Sequence, residues 1–401
     1  MNATTQQLKG IYEDMVHMFE QKKFNTEYST SLFKGPWGAL LYMFYYEQYI
    51  DPTQDRASEV LEELYTNFNP GEGTDFSFCN GHTGPFWLLH HLNKYEFIEI
   101  DIQEIMPGFI EAAIEYSKAH IANKNFDFLH GSVGICNFLV DYANEPHVKA
   151  HLADFVTALQ KIAFETPQGL SVPMFYMTEP FVEGGVNSFS LAHGNCAVQI
   201  LLAKIYQKGI AQDACTAIVS GNIEYMINNR NQVADNAAVP LYPAIMDGQS
   251  VYSRLSWCYG DLNVAIALLI CGKTWANDEW LAEAHHIMQH NMQRDTMELA
   301  GILDNCICHG SSGIAAFYRR FWHETRHQSY LDCAAQWHEK AIDFMKFDND
   351  GSAHGIKVWL GRDREWDYCW DLLDGSCGVG LSLLSHTQAE PLPWDEFLLL
   401  S

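Results

Sequence analysis

The 401-residue chain predicts an all-α fold: an α/α toroid with seven inner and seven outer helices, in one domain over residues 1–401. Three observations carry that reading. A glycine followed three residues later by a second glycine recurs along the chain, each time leading into an apolar run. The first glycines of successive copies lie 46, 50, 63, 66, 50 and 65 residues apart, room for two helices of ~12–20 residues and two connections. Hydrophobic residues make up 48% of the chain, enough to bury a ring of helices.

The copies run in order as Gly35 with Gly38, Gly81 with Gly84, Gly131 with Gly134, Gly310 with Gly313 and Gly375 with Gly378. Between the third and the sixth stand two weaker copies, Gly194 with Ala197 and Gly260 with Asn263. Runs 39–46, 135–142 and 198–206 are apolar nearly all round, as suits a helix buried between two layers. Stretches 57–65 and 150–163 are amphipathic and suit outer helices with one wet face. Glycine at the start of an inner helix lets neighbouring backbones approach and tolerates the turn there. Seven such hairpins imply closure, because a ring removes the ends that an open solenoid must cap. Three long connections, residues 164–192, 228–256 and 347–373, precede inner helices four, five and seven. Long loops entering one pole of a rigid ring are where a site is built.

Charge narrows the function. Acidic residues outnumber basic ones 50 to 24, for a net charge of −26, which excludes general affinity for nucleic acid or anionic membranes. A cationic or neutral peptide is the better partner. The N-terminal segment lacks the basic start and apolar core of a signal peptide. Residues 264–271, an apolar run, fall far short of the ~20 that span a bilayer. Eleven cysteines, an odd number in a large chain, point to reduced thiols and a metal site in the cytoplasm rather than to a disulfide framework.

Positions just before each first glycine share one pole of the expected ring. One residue before it stand His130, His193, Tyr259, His309 and Asp374, and two before it Cys258 and Cys308. Cys258, Cys308 and His309 make a zinc set with one open place, since two thiolates and an imidazole are donors that zinc selects and three protein ligands is the catalytic pattern. The two cysteines are 50 residues apart, one repeat. Cys306 is expected to be a structural thiol, and the other eight cysteines, Cys136, Cys196 and Cys377 among them, to lie in the core.

The segments SRLSWCYGD (253–261) and CHG (308–310) resemble the two signature motifs of the lanthionine synthetase C family, the lanthipeptide cyclases. LAHG (191–194) and LDGSCGVGL (373–381) are similar to further family motifs, and the likeness runs over essentially the whole chain. The resemblance implies a bacterial, cytoplasmic zinc enzyme that closes thioether rings in a dehydrated precursor peptide. A peptide cysteine would take the open zinc position as thiolate and add to the β-carbon of a dehydroalanine or dehydrobutyrine; a metal makes that nucleophile at neutral pH, and an acid must then protonate the enolate. By position, the resemblance gives His193 the general acid/base role. Asp127 becomes the carboxylate that orients it, Arg254 the group that steadies the enolate or the pocket, and Tyr259 the tyrosine after the first zinc cysteine. His130 and Asp374 are expected to be structural. A dehydratase and a peptide transporter are implied as further partners. Two features depart from the pattern: the second glycine is absent at Ala197 and Asn263, and Asn195-Cys196-Ala197 replaces the familiar residues after the His193 motif.

Other readings stay open at this level. Glutathione addition to dehydroamino acids would use the same zinc and pole. A toroidal peptide-binding scaffold would need no Cys-Cys-His set. A toroidal glycosidase would need two facing carboxylates, nominally Asp127 and Asp374, but would leave the zinc residues unexplained.

Overall fold

The computed structural model describes residues 3–23, 28–68, 74–173, 187–231, 239–244, 252–345, 356–361 and 365–401. Parts of all three long connections (174–186, 232–238, 245–251, 346–355 and 362–364) lie outside the described residues.

Helices dominate. Seven begin within two residues of a repeat's first glycine: α2 (Pro36–Tyr49), α4 (Thr83–Lys94), α6 (Ser132–Leu139), α8 (Asn195–Gln207), α10 (Asp261–Thr274), α13 (Ser311–Thr325) and α15 (Ser376–Thr387). Their side chains are buried on nearly every face, as the apolar runs predict. Seven more alternate with them: α1 (Ala3–Glu20), α3 (Arg56–Thr66), α5 (Ile102–Ala122), α7 (Pro146–Ile162), α9 (Gln212–Asn228), α11 (Asp278–Asn291) and α14 (Gln328–Phe344). These bury one stripe and leave the other face wet; α3 buries only Ala57 and Val60. A one-turn helix, α12 (Met297–Ala300), completes the set.

The chain divides into two compact units. The first (Met1–Asp75, Cys79–Ile102 and Ile302–Ser401) joins the two ends of the chain. Here α15 packs against α1, α2, α13 and α14. The second glycine of a repeat makes this fit: a Cβ on Gly38 would lie 2.7 Å from Leu372 Cβ, and one on Gly378 2.6 Å from Ile307 Cγ1. Each helix start is thus seated on the turn that opens another repeat. A hairpin of β3 (Lys357–Trp359) and β4 (Trp366–Tyr368) pairs Val358 with Asp367.

The second unit (Phe76–Phe78 and Gln103–Gly301) holds α6 to α12. Its hairpin, β1 (Phe164–Thr166) with β2 (Gly169–Ser171), pairs Glu165 with Leu170 and packs on α9, where Asn222 donates to the Leu170 carbonyl at 3.1 Å. Asn263, standing where the fifth repeat lacks its glycine, accepts from the Leu191 amide at 2.6 Å and donates to the Ser256 carbonyl at 2.8 Å. It stitches repeats four and five together where a second glycine would only have let them approach.

Candidate functional site

The turn ahead of the buried helix is built the same way in at least six repeats. Four residues before the first glycine sits a side-chain acceptor: Ser31, Asp127, Ser190, Ser256, Cys306 or Asp371. Each accepts from the backbone amide three residues on, that of Lys34, His130, His193, Tyr259, His309 or Asp374, at 2.7 to 3.4 Å. The amide would otherwise be a buried orphan. Satisfying it fixes the residue just before the glycine, the position from which the candidate site residues project. Cys306 is one of these acceptors, fully buried, with burial holding its thiol well above the ordinary range.

In the second unit the turn acceptor Asp127 does more than cap. Its Oδ1 accepts the His130 amide at 2.7 Å, while its Oδ2 meets His193 Nδ1 at 2.6 Å. The carboxylate is buried and the imidazole partly exposed. Burial pulls the His193 pKa down, but the hydrogen bond and charge of Asp127, with the Cys258 thiol adding to them, leave it raised overall. With Nδ1 committed to Asp127, Nε2 is the free proton site. The His130 ring stacks on His193 with centroids 6.0 Å apart. Ser190 ties the same repeat to the next, accepting from the His193 amide at 2.9 Å and donating to the Cys258 carbonyl.

Arg254 and Tyr259 meet in the same unit. The Arg254 Nε donates to the Tyr259 hydroxyl at 2.7 Å, and the guanidinium lies 5.3 Å from the ring centroid. Between them Cys258 is partly exposed. Gly260 has φ +101°, a backbone state that a side chain would strain, and a Cβ there would lie 2.6 Å from the Arg254 carbonyl. That glycine is what lets the Arg254–Tyr259 turn close.

The first unit brings Cys308, His309 and Asp374 together: one ligand atom from each, a thiol sulfur, an imidazole nitrogen and a carboxylate oxygen, all within 4.8 Å of one another. The turn is held by the Cys308 amide donating to the Leu373 carbonyl at 2.9 Å. Asp374 Oδ1 is buried without a hydrogen-bond partner among the described residues, 3.9 Å from His309 Nδ1. Asp374 Oδ2 pairs with Lys34, whose ammonium also stands 3.9 Å from Asp371.

Asp304 is the residue that the sequence reading missed. Its Oδ2 lies 3.3 Å from His309 Nε2 and accepts the Trp359 amide at 2.9 Å, while Oδ1 accepts the Cys306 amide at 3.1 Å. Burial alone would raise this carboxyl, but the His309 contact and the bonds from Trp359 and Cys306 bring it below its ordinary value. A carboxylate that takes Nε2–H is the usual second layer behind a metal-bound histidine, and it leaves for a metal the Nδ1 lone pair, which faces Asp374 in the cluster that also holds Cys308. The donor chemistry fits zinc: thiolate and imidazole, with an unpartnered carboxylate oxygen beside them. The signal was present in register, since Asp304 stands six residues before Gly310, but one acidic residue at that offset is not distinctive.

The expectation for the remaining cysteines needs one correction. Seven of the eight are buried; Cys369, in the segment between β4 and α15, is only partly so. All eleven cysteines are free thiols.

The match to known proteins follows these features. A family model described as lanthionine synthetase C-like protein matches residues 26–399. The chain belongs to the lanthionine synthetase C-like family. Among curated relatives, it is 25% identical over 270 residues to the nisin biosynthesis protein NisC of Lactococcus lactis subsp. lactis, an alignment covering 61% of this chain and 59% of that protein. Among solved structures, nisin cyclase matches with a TM-score of 0.74 at 18% identity, covering 98% of this chain and 97% of that one. The Lin0763 protein from Listeria innocua matches at 0.52 and 11% identity, covering 96% and 97%. The fold is that of nisin cyclase, an α/α toroid. No described helix of this family member is long and apolar enough to cross a membrane.

Proposed function

We propose that the chain is a zinc-dependent lanthipeptide cyclase, acting in the cytoplasm as one domain over residues 1–401. Its substrate would be a dehydrated precursor peptide, in which it forms lanthionine or methyllanthionine thioethers. Cys258, Cys308 and His309 are the proposed metal ligands. The observation that carries the reading is the state of His309: Nε2 is turned to Asp304, and Nδ1 faces Asp374 in the cluster that also holds Cys308. Membership of the family and the similarity to NisC support the choice of reaction.

Bound zinc would lower the pKa of a peptide cysteine so that its thiolate is present at neutral pH. The protein's own residues handle the proton. His193, held at Nδ1 by Asp127, takes the thiol proton at Nε2 and returns it to the α-carbon after the sulfur–β-carbon bond has formed. Thiol and alkene become thioether with no net proton consumed. Arg254, oriented by Tyr259, offers a fixed cation to the enolate oxygen that develops as the bond forms. Surplus acidic charge would draw in a basic peptide. A dehydratase and a peptide transporter fit as further partners, since one makes the substrate and the other removes the product.

The test has two parts. Purified protein should hold about one zinc per chain, lost in Cys258→Ala, Cys308→Ala and His309→Ala while the helical fold survives. On a dehydrated cysteine-containing peptide the parent should consume free thiols with no change in peptide mass. Zinc that is absent, or indifferent to the three substitutions, would overturn the metal centre. Intact zinc with glutathione consumed instead of peptide thiols would shift the substrate to the alternative thiol-addition reading.

A further inference from the structure

Arg294 stands just beyond α11 and is 1% exposed, so it does not touch substrate, and no step of the proposed chemistry uses it. Burying a guanidinium costs its hydration. Its partners show what that burial achieves.

The donors of Arg294 spread over three pieces of chain. Nη2 donates to the Ser253 carbonyl at 2.8 Å, Nε to the Leu299 carbonyl at 3.0 Å and Nη1 to Asn291 Oδ1 at 3.2 Å. The charge is met by Asp261, whose Oδ2 lies 4.0 Å from Nη1 and accepts from Asn291 Nδ2 at 2.9 Å. Asp261 is itself fixed, accepting the Leu241 and Tyr242 amides at 3.0 and 2.8 Å. The guanidinium is planar and permanently charged, and it is anchored by the residue that opens α10.

Two of these bonds bracket Arg254. Ser253 is the residue before it, and the Ser253 carbonyl belongs to the peptide unit that carries the Arg254 amide. Leu299 lies in α12, whose next carbonyl, that of Ala300, accepts from the Leu255 amide at 2.8 Å. Ser253 Oγ adds a bond to the Tyr242 carbonyl at 2.7 Å. The backbone is therefore tied on both sides of Arg254, directly at Ser253 and through α12 at Leu255. Between these ties stands the side chain whose Nε donates to the Tyr259 hydroxyl at 2.7 Å. Where a side chain points depends on how its own backbone is set.

We propose that Arg294, backed by Asp261, is a positioning residue for Arg254: by holding the Ser253 carbonyl and α12, it fixes the Arg254 guanidinium where the enolate oxygen develops. The proposal rests on the ring-closing reaction proposed above. A fixed donor stabilises developing charge because it needs no reorganisation during the step, and a small displacement takes much of that effect away. Lysine at position 294 would keep a charge opposite Asp261 but, with a single nitrogen, could not reproduce the planar array that spans both carbonyls.

The full chain, isotopically labelled at its arginine nitrogens, tests this by NMR and by kinetics on a dehydrated cysteine-containing peptide. The signal lost in Arg254→Lys identifies the Arg254 Nε–H. In Arg294→Lys that signal should shift and exchange faster with water. Ring closure should lose about 10–100-fold in kcat, with KM and zinc content little changed. In an Arg254→Gln background the same substitution should cost no further activity, since losses routed through one group do not add. Asn291→Ala releases one terminal nitrogen of Arg294 and spares both carbonyls. It should shift the Arg254 signal by less, and it carries the test if Arg294→Lys does not fold. An Arg254 signal unmoved in both variants, or losses that multiply when Arg294→Lys is combined with Arg254→Gln, would overturn the positioning role. A parent that closes no thioether ring would instead overturn the reaction, and the Arg254 signal would still decide the positioning.

Discussion

Asp127 and His193 form the one carboxylate–imidazole pair in the second unit whose protonation bears directly on the proposed chemistry. The sign of its pH dependence follows from the raised histidine pKa. The pair's stabilisation is fully present below the unfolded value of about 6.5 and is lost as pH rises through the folded value. Asp127→Asn should therefore lower the His193 pKa, read by NMR titration of metal-free protein, and should erase that pH-dependent part of the stability. His193→Ala should slow ring closure by ~10²–10⁴-fold, the usual range for a lost general acid–base group, with zinc content unchanged. A variant that closes rings at the parental rate would remove His193 from the mechanism. Asp304 acts one layer further out. Asp304→Asn should weaken zinc about 10–100-fold, measured by competition with a chelator, while leaving the zinc ligands themselves in place. His193 was legible from the sequence because it stands in register with a motif. Asp304 was not, because its role exists only once the turn has folded its carboxylate back onto His309.

At the scale of the element, the recurring unit is a turn plus a helix start. Glycine is needed for space more often than for conformation, as α15 shows. A Cβ on Gly378 would stand 2.0 Å from the Leu372 carbonyl and 2.6 Å from Ile307 Cγ1, neither of which can move without shifting backbone or core. Gly378→Ala should cost at least about 1–3 kcal/mol in urea unfolding. Gly108 gives the contrast: it lies within α5, and a Cβ there would touch nothing within 4 Å. Gly108→Ala should raise stability by about 0.5–1 kcal/mol, since alanine restricts the unfolded chain and favours the helix. Equal effects at the two positions would mean that packing does not explain the glycine repeat. The helices themselves were legible because burial on every face demands continuous apolar runs, as in α2 and α10. The side-chain acceptor four residues before six of these glycines escaped notice because serine, aspartate and cysteine all serve, so no single letter repeats.

Over the whole molecule, the first unit takes in both ends of the chain, so neither half of the sequence can complete it alone. With residues 1–401 proposed as one domain, urea should unfold the protein in a single transition seen alike by near- and far-ultraviolet circular dichroism. Two separated transitions would make the units independent domains. The net charge of −26 acts at this scale as well: affinity for a basic peptide should fall as salt rises from 50 to about 500 mM, as screened attraction requires. Flat affinity would rule out charge as the source of attraction.

Sequence alone determined the all-α class, the seven glycine-opened helices and the residues that precede each glycine, since periodicity and spacing are properties of the chain itself. It also set the free thiols and acidic charge that frame the proposed chemistry. Tertiary structure decided which of those residues meet. Asp127 reaches across 66 positions to His193, and Asp374 comes beside Cys308 and His309. Such pairings depend on how the turns of different repeats stack. Distances of a few ångströms between side chains far apart in sequence exist only after the backbone has closed around them.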